Sequence, residues 1–178
     1  HLRVAALDAL IRMGPELSSE RFDLLFDQLD SPDAPLRQLT ASALGRARLT
    51  DPQLLRVATD SLSEAALLLV PSLLEAFRRG TNEEVGMALV ASLTELAPVL
   101  DGLAAERLTD LLSTYPDSVG TAALPLLARL DELKGNRLER LEGLLARLEP
   151  GEASRGRDLF FGPTVGCSSC HSVGSEGG

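Results

Sequence analysis

The chain has 178 residues, 26 of them acidic and 17 basic, for a formal charge of −9, so it offers no basic field for a phosphate backbone and nucleic acid is excluded as a natural partner. Tryptophan is absent and aromatics make up only 3% of the residues, which leaves little material for extended sheet and predicts an all-α fold. No apolar run reaches the roughly 18 residues of a membrane span, because "EAALLLVPSLLEAF" is broken by Pro71 and bounded by Glu64 and Arg78.

The chain opens at His1 directly in a helical pattern, "HLRVAALDALIRMG", and closes on the loop "GSEGG". Both ends read as cuts within a longer chain, so the lack of a leader carries no information on compartment. "SSERFDLLFDQLD" sets Phe22, Leu25, Phe26 and Leu29 at i, i+3, i+4 and i+7 behind a serine able to cap the free amides. After "SPDAP" a second stripe, Leu36, Leu39, Ala43 and Leu44, runs to Gly45. "TDPQLL" offers Asp51 as cap and Pro52 at the first helical position, where its missing amide proton costs nothing. "TNEE" places Thr81 and Glu84 in capping-box spacing ahead of Val85, Leu89 and Leu93. A further helix follows Asp117 with Val119, Ala122, Leu126, Leu127 and Leu130. A separate last helix, "NRLERLEGLLARLE", aligns Leu138, Leu141, Leu145 and Leu148.

Every second helix start can be marked, at Ser19, Asp51, Thr81 or Asn82, and Asp117, at intervals of about 31 to 35 residues. A helix pair of that length has too little apolar surface to close its own core, so neighbours must cover it. This predicts an α-solenoid of stacked pairs over residues 1–149, in preference to a compact bundle. "SPDAPLRQLTASALGRA" and "HLRVAALDALIRMG" resemble the second half of a HEAT repeat: a proline-bearing turn, an acidic residue, then an apolar helix with an arginine in its first turn. Composition changes at "LEPGEAS". Residues 1–149 hold eight glycines and the last 29 residues hold seven, which marks 150–178 as a loop-rich segment of its own.

That segment contains both cysteines and one of the two histidines within five residues: Cys167, Ser168, Ser169, Cys170 and His171. They spell C-x-x-C-H, the attachment motif for c-type haem. Two thiols three residues apart on one helical turn can each add across a vinyl group of the porphyrin, and His171 is then carried beneath the iron as proximal ligand. A zinc site needs a fourth ligand, for which only His1 and carboxylates are on offer. A thioredoxin-like pair needs a βαβ context that this sequence lacks. A structural disulfide closes too small a loop to stabilise much and leaves His171 unexplained. Ahead of the motif, residues Glu152 to Phe161 read as a short helix presenting Leu159 and Phe160.

"RGRDLF" followed by a glycine-rich turn into C-x-x-C-H resembles the start of class I cytochromes c. The whole arrangement resembles the C-terminal part of large secreted bacterial proteins that join a dehydrogenase-like propeller, HEAT-like repeats and a haem-binding cytochrome c domain. The resemblance is close over 150–178 and general in character before it. It implies electron transfer through a covalently attached haem c, with Cys167 and Cys170 as thioether anchors and His171 as the iron ligand. It also implies an electron donor or acceptor protein or domain linked to a dehydrogenase, a periplasmic or otherwise exported location, and a distal methionine further along such chains. Met13 and Met87 lie in helical patterns and read as core or surface residues.

A second reading makes residues 1–149 a binding scaffold whose concave face docks a protein partner, with the C-x-x-C-H segment structural or zinc-binding. Residues 1–149 hold no cysteine and no internal histidine, and Glu83, Glu84, Asp131 and Glu132 read as solvated faces and caps, not as a catalytic pair. Residues 150–178 are expected to order little beyond the short helix and to leave Cys167, Cys170 and His171 exposed.

Overall fold

The computed structural model describes residues 1–14, 16–62, 67–96 and 103–177. The fold is all-α; among the described residues the sheet content is a two-stranded hairpin. No described helix is long and apolar enough to cross a membrane. The chain divides into two compact units, residues 1–135 and 136–178.

The first unit is built from α1 (Leu2–Met13), α2 (Ser19–Phe26), α3 (Ala34–Arg46), α4 (Asp51–Arg56), α5 (Val70–Leu74), α6 (Glu83–Leu96), α7 (Ala105–Leu112) and the first part of α8 (Asp117–Leu145). α4 runs on as wider π-type turns through Leu62, and α5 tightens into 3-10 turns through Arg79. The starts expected at Ser19, Asp51 and Asp117 are the first residues of α2, α4 and α8, and α6 begins just after Asn82.

The caps differ from expectation in detail. Asp33 closes the start of α3, its Oδ1 accepting from the Leu36 amide at 2.9 Å. At α4 the cap is Thr50, whose amide donates to Gln53 Oε1 at 2.9 Å, so Asp51 is the first helical residue and Pro52 the second. At α6 the Asn82 side chain takes the role expected of Thr81, accepting from the amides of Glu84 at 2.9 Å and Val85 at 3.3 Å. The two helices expected around Gly135 are one, α8. Glycine costs a helix about 1 kcal/mol relative to alanine. Neither it nor Asn136 removes a backbone donor, so propagation carries through.

Apolar stripes close the core. Leu25, Leu44, Leu62, Leu73, Phe77, Leu89 and Leu93 are fully buried, and Leu108 and Leu126 nearly so. α1 packs on α3, α3 on α5, α4 and its π-type extension on α6, and α7 on the 3-10 turns after α5. Polar ties join the same layers at a nearly constant sequence offset. Arg56 reaches Asp23 at 2.6 Å, Asn82 reaches Asp51 at 3.1 Å, and Arg78 reaches Asp110 at 3.0 Å. The Ser92 hydroxyl donates to the Ala58 carbonyl at 2.7 Å, and that of Thr114 to the Gly80 carbonyl at 2.8 Å. These partners lie 31 to 34 residues apart.

Asp8 is a buried charge of this unit and is held by two guanidinium groups, Arg12 one helical turn away on α1 and Arg46 on α3. Burial pushes its carboxyl up, but the hydrogen bonds from Arg46 and Arg12 outweigh burial and leave it below the ordinary carboxylate value. A group with a depressed folded pKa stabilises the protein above its unfolded value, about 3.9 for aspartate, and loses that contribution as the pH falls through the folded value. Asp8→Asn should therefore cost about 1–3 kcal/mol near neutral pH and flatten the acid limb of the stability profile. Urea titrations of both proteins from neutral to strongly acid pH check this, and equal stability at neutral pH would refute it.

Candidate functional site

In the second unit, the end of α8 is followed by α9 (Ala153–Phe161), a single 3-10 turn (Cys167–Ser169), and strands β1 (Ser172–Val173) and β2 (Glu176–Gly177). All three residues of the C-x-x-C-H motif that the sequence singled out lie on and just after that turn. Gly166 opens it with φ 65°, a left-handed backbone that a side chain would strain. The Ser169 amide and hydroxyl both return to the Gly166 carbonyl, at 3.0 and 2.7 Å. The Cys167 carbonyl accepts from the amides of Cys170 at 3.3 Å and His171 at 3.0 Å. These i→i+3 and i→i+4 bonds close the backbone of the motif into a single turn.

Both cysteines are free thiols. Cys170 and His171 are exposed and Cys167 is half-buried. The His171 imidazole has no hydrogen-bond partner among the described residues, so both ring nitrogens are open to a ligand role. His1, the other histidine, belongs to the first unit and meets Asp33 at 2.8 Å. Among the described residues no group of three or more histidine, cysteine, aspartate or glutamate side chains converges to hold a bare metal ion.

The segment around the motif is more ordered than the sequence suggested. β1 and β2 pair antiparallel, Ser172 with Gly177 and Val173 with Glu176, around a loop led by Gly174. Gly177 comes back against the His171 carbonyl and Ser168, where a Cβ would not fit. Arg157 ties the hairpin to α9. Its guanidinium meets Glu176 at 2.5 Å and lies over the Phe161 ring at 4.9 Å, and Phe161 in turn packs edge-on against Phe160 at 5.0 Å. Sequence reasoning missed Arg157, because its partner lies 19 residues on, beyond the motif. An exposed ion pair and a cation–π contact together are worth on the order of 1 kcal/mol. Arg157→Ala should accordingly speed amide exchange across Ser172–Gly177 by roughly fivefold, with the amides of α6 unchanged. Hydrogen exchange read by mass spectrometry checks this, and an unchanged hairpin would show that Arg157 does not hold it.

In the first unit, a groove of about 490 Å³ is lined by Ala105, Glu106, Thr109, Asp110, Leu127 and Asp131. Two of its three carboxylates are engaged in charge pairs, Glu106 with Lys134 at 2.8 Å and Asp110 with Arg78 at 3.0 Å. The Lys134 hydrogen bond holds Glu106 below the ordinary carboxylate value, which suits a solvated ion pair and opposes a role as general acid. Glu83 and Glu132 are likewise tied, to Ser118 at 2.5 Å and to Arg129 at 3.0 Å.

Comparison with protein-family models, with curated proteins and with solved structures returned no match for this chain. The site stands on its own geometry. A haem with two vinyl groups fits the donors present: two free thiols three residues apart and, on the residue that follows, an imidazole with no partner among the described residues.

Proposed function

We propose that residues 150–178 attach a c-type haem and that the chain passes electrons through it. The reading rests on one observation, the folding of Cys167, Cys170 and His171 into a single turn with both thiols free and the imidazole without a hydrogen-bond partner among the described residues. Each thiol would add its S–H across one vinyl group, sulfur to one carbon and hydrogen to the other. That addition consumes no oxidant but requires both sulfurs to be reduced. His171 would supply a neutral imidazole nitrogen to the iron. When bound, the haem iron supplies one-electron oxidation and reduction, while the protein supplies position and surroundings. Arg157 and the hairpin would hold the turn in shape for ligation.

The helical unit would serve as scaffold. Its recurrent starts and its polar ties at 31 to 34 residues favour a HEAT-like solenoid, in which each pair is covered by its neighbours. The partners of such a protein would be an electron donor or acceptor protein or domain, in line with the resemblance to dehydrogenase-linked cytochromes, and its compartment periplasmic or otherwise exported. The scaffold reading, with a protein partner on the repeats and the motif structural or zinc-binding, has less support. It leaves two reduced thiols and an open imidazole on one turn without a common purpose.

The test is the pyridine haemochrome spectrum of the chain produced with the periplasmic cytochrome-maturation machinery and then denatured. The absorption of a haem joined by two thioethers is expected. A spectrum with no protein-bound haem would overturn the proposal.

A further inference from the structure

The helical unit has an uncovered face at each end, and the packing between its layers says what fits them. A shift of 34 residues, Leu2 to Leu36, lays α1 on α3, with Arg3 on Arg37, Ala9 on Ala43, Leu10 on Leu44 and Arg12 on Arg46 as further identities. Both helices meet the layer after them in the same way. α1 buries Val4, Asp8 and Ile11, and Asp8 meets Arg46 of α3. At the equivalents of Val4 and Ile11, Gln38 donates to the Ser72 hydroxyl of α5 at 3.2 Å, and a Cβ on Gly45 would strike the Ser72 carbonyl. About half a turn round from these two, at roughly 100° per residue, α3 sets Leu36, Thr40, Ala43 and Ala47, all buried. Their equivalents on α1 are Leu2, Ala6, Ala9 and Met13, all exposed, Leu2 at 88% and Met13 at 87%. On α1 the face that α3 turns toward the layer before it is therefore uncovered.

At the other end, α7 and the first part of α8 are the last helices of the unit. The layer before them covers one side, where Arg107 meets Glu75 at 3.6 Å and Ser118 meets Glu83 at 2.5 Å. Thr109 lies about 200° round α7 from Arg107, on the side turned away. There the groove of about 490 Å³ runs on into a second of about 270 Å³. The two share Thr109 and Leu127, and the second adds Leu112, Gly120 and Leu124, the last of them 61% exposed. From Asp117 to Asp131 the combined groove follows α8 for about 21 Å, and the 12 residues of α1 span about 18 Å. The charges also differ in sign. Arg3 and Arg12 stand about a quarter turn to either side of the exposed stripe on α1, while Asp117 and Asp131 mark the two ends of the groove.

We propose that α1 of one copy lies in the α7–α8 groove of a second copy, so that the layers continue from chain to chain, head to tail. The occupant follows from packing already present within the unit. The groove sits on the side where α1 receives α3 and α3 receives α5, and α1 carries the face with which α3 enters such a contact. Two different surfaces meet, so the contact does not close as a twofold pair, and association proceeds past a dimer to a ring or an open chain. One helix in a groove buries a small area, which makes the contact reversible and dependent on concentration. It uses no residue of the second unit and stands apart from the haem proposal.

The experiment is sedimentation equilibrium of the full chain over a wide concentration range, as the wild type, as Leu2→Glu combined with Met13→Glu, and as Leu124→Glu. The average mass of the wild type should rise with concentration past that of a dimer. Each variant should associate more than about tenfold more weakly, with its circular dichroism unchanged, because all three side chains are exposed in the monomer. Each variant spoils one end and keeps the other. An equimolar mixture of the two should therefore form a one-to-one dimer and grow no further. A wild type that stays monomeric at every concentration overturns the proposal. So does a Leu124→Glu chain that associates as the wild type does, and so does a mixture that associates no better than its separate components.

Discussion

A chain in which Cys167 and Cys170 are both alanine should hold no haem after denaturing electrophoresis, whereas the parent chain, matured in the periplasm, should stain for haem at its own mass. The effect is total because a thioether is covalent and survives denaturation, while a haem held by His171 alone is lost when the fold is lost. The single replacements separate the two sulfurs. Each should retain one thioether, lower the yield of haem protein, and move the haemochrome band toward that of haem with one intact vinyl group. Half-buried Cys167 opens the turn and exposed Cys170 follows it, so neither replacement removes a core contact. A lower yield can then be assigned to ligation and not to misfolding. Haem that stays with the double variant through denaturation would mean that the turn is not the attachment site.

Phe77→Ala should produce the largest loss of stability of any single truncation in the helical unit, about 3–5 kcal/mol. Phe77 is the largest side chain with no exposure at all. Its carbonyl also receives the Tyr115 hydroxyl at 2.9 Å, so the layer is fastened at both its apolar and its polar ends. Burial, with the charge of Asp51, pushes the Tyr115 hydroxyl up to about 12, and the phenol stays a donor through the whole neutral range. A loss of that size should lower the melting temperature by roughly 10 °C or more, measured by far-ultraviolet circular dichroism. A drop of only a degree or two would mean that the neighbouring layers collapse into the space and that the site is less tightly packed than its burial indicates.

The helical class and most helix starts could be read directly, because a stripe at i, i+3, i+4 and i+7 behind a capping residue is a local signal. Ser19, Asp51 and Asp117 are the first residues of α2, α4 and α8, although the Ser18 side chain makes no capping hydrogen bond. The choice of capping atom was less legible, since adjacent polar residues compete. Thr50 prevailed over Asp51, and Asn82 over Thr81, by the geometry of the approaching chain. The continuity of α8 through Gly135 and Asn136 was hidden because a glycine followed by asparagine is also how one helix stops and the next begins. The π-type turns at Val57–Leu62, which pack against α6, leave no mark in composition.

At the site, the identity and spacing of Cys167, Cys170 and His171 were entirely open to sequence reading, because that chemistry is written in residue type. Its support was not. The hairpin has two residues on each side of its loop, too few for an alternation to be seen. The Arg157–Glu176 contact joins residues that no helical or strand period relates.

The near-constant reach of the polar ties in the helical unit has a consequence for how the chain is made. Contacts that close within about one helix pair incur little loop entropy, so a chain built from them belongs to the fast-folding class. Each layer can take shape once the next thirty or so residues have left the ribosome, without waiting for a distant segment. Asp23 finds Arg56, Asp51 finds Asn82, and Arg78 finds Asp110, in the order in which synthesis delivers them.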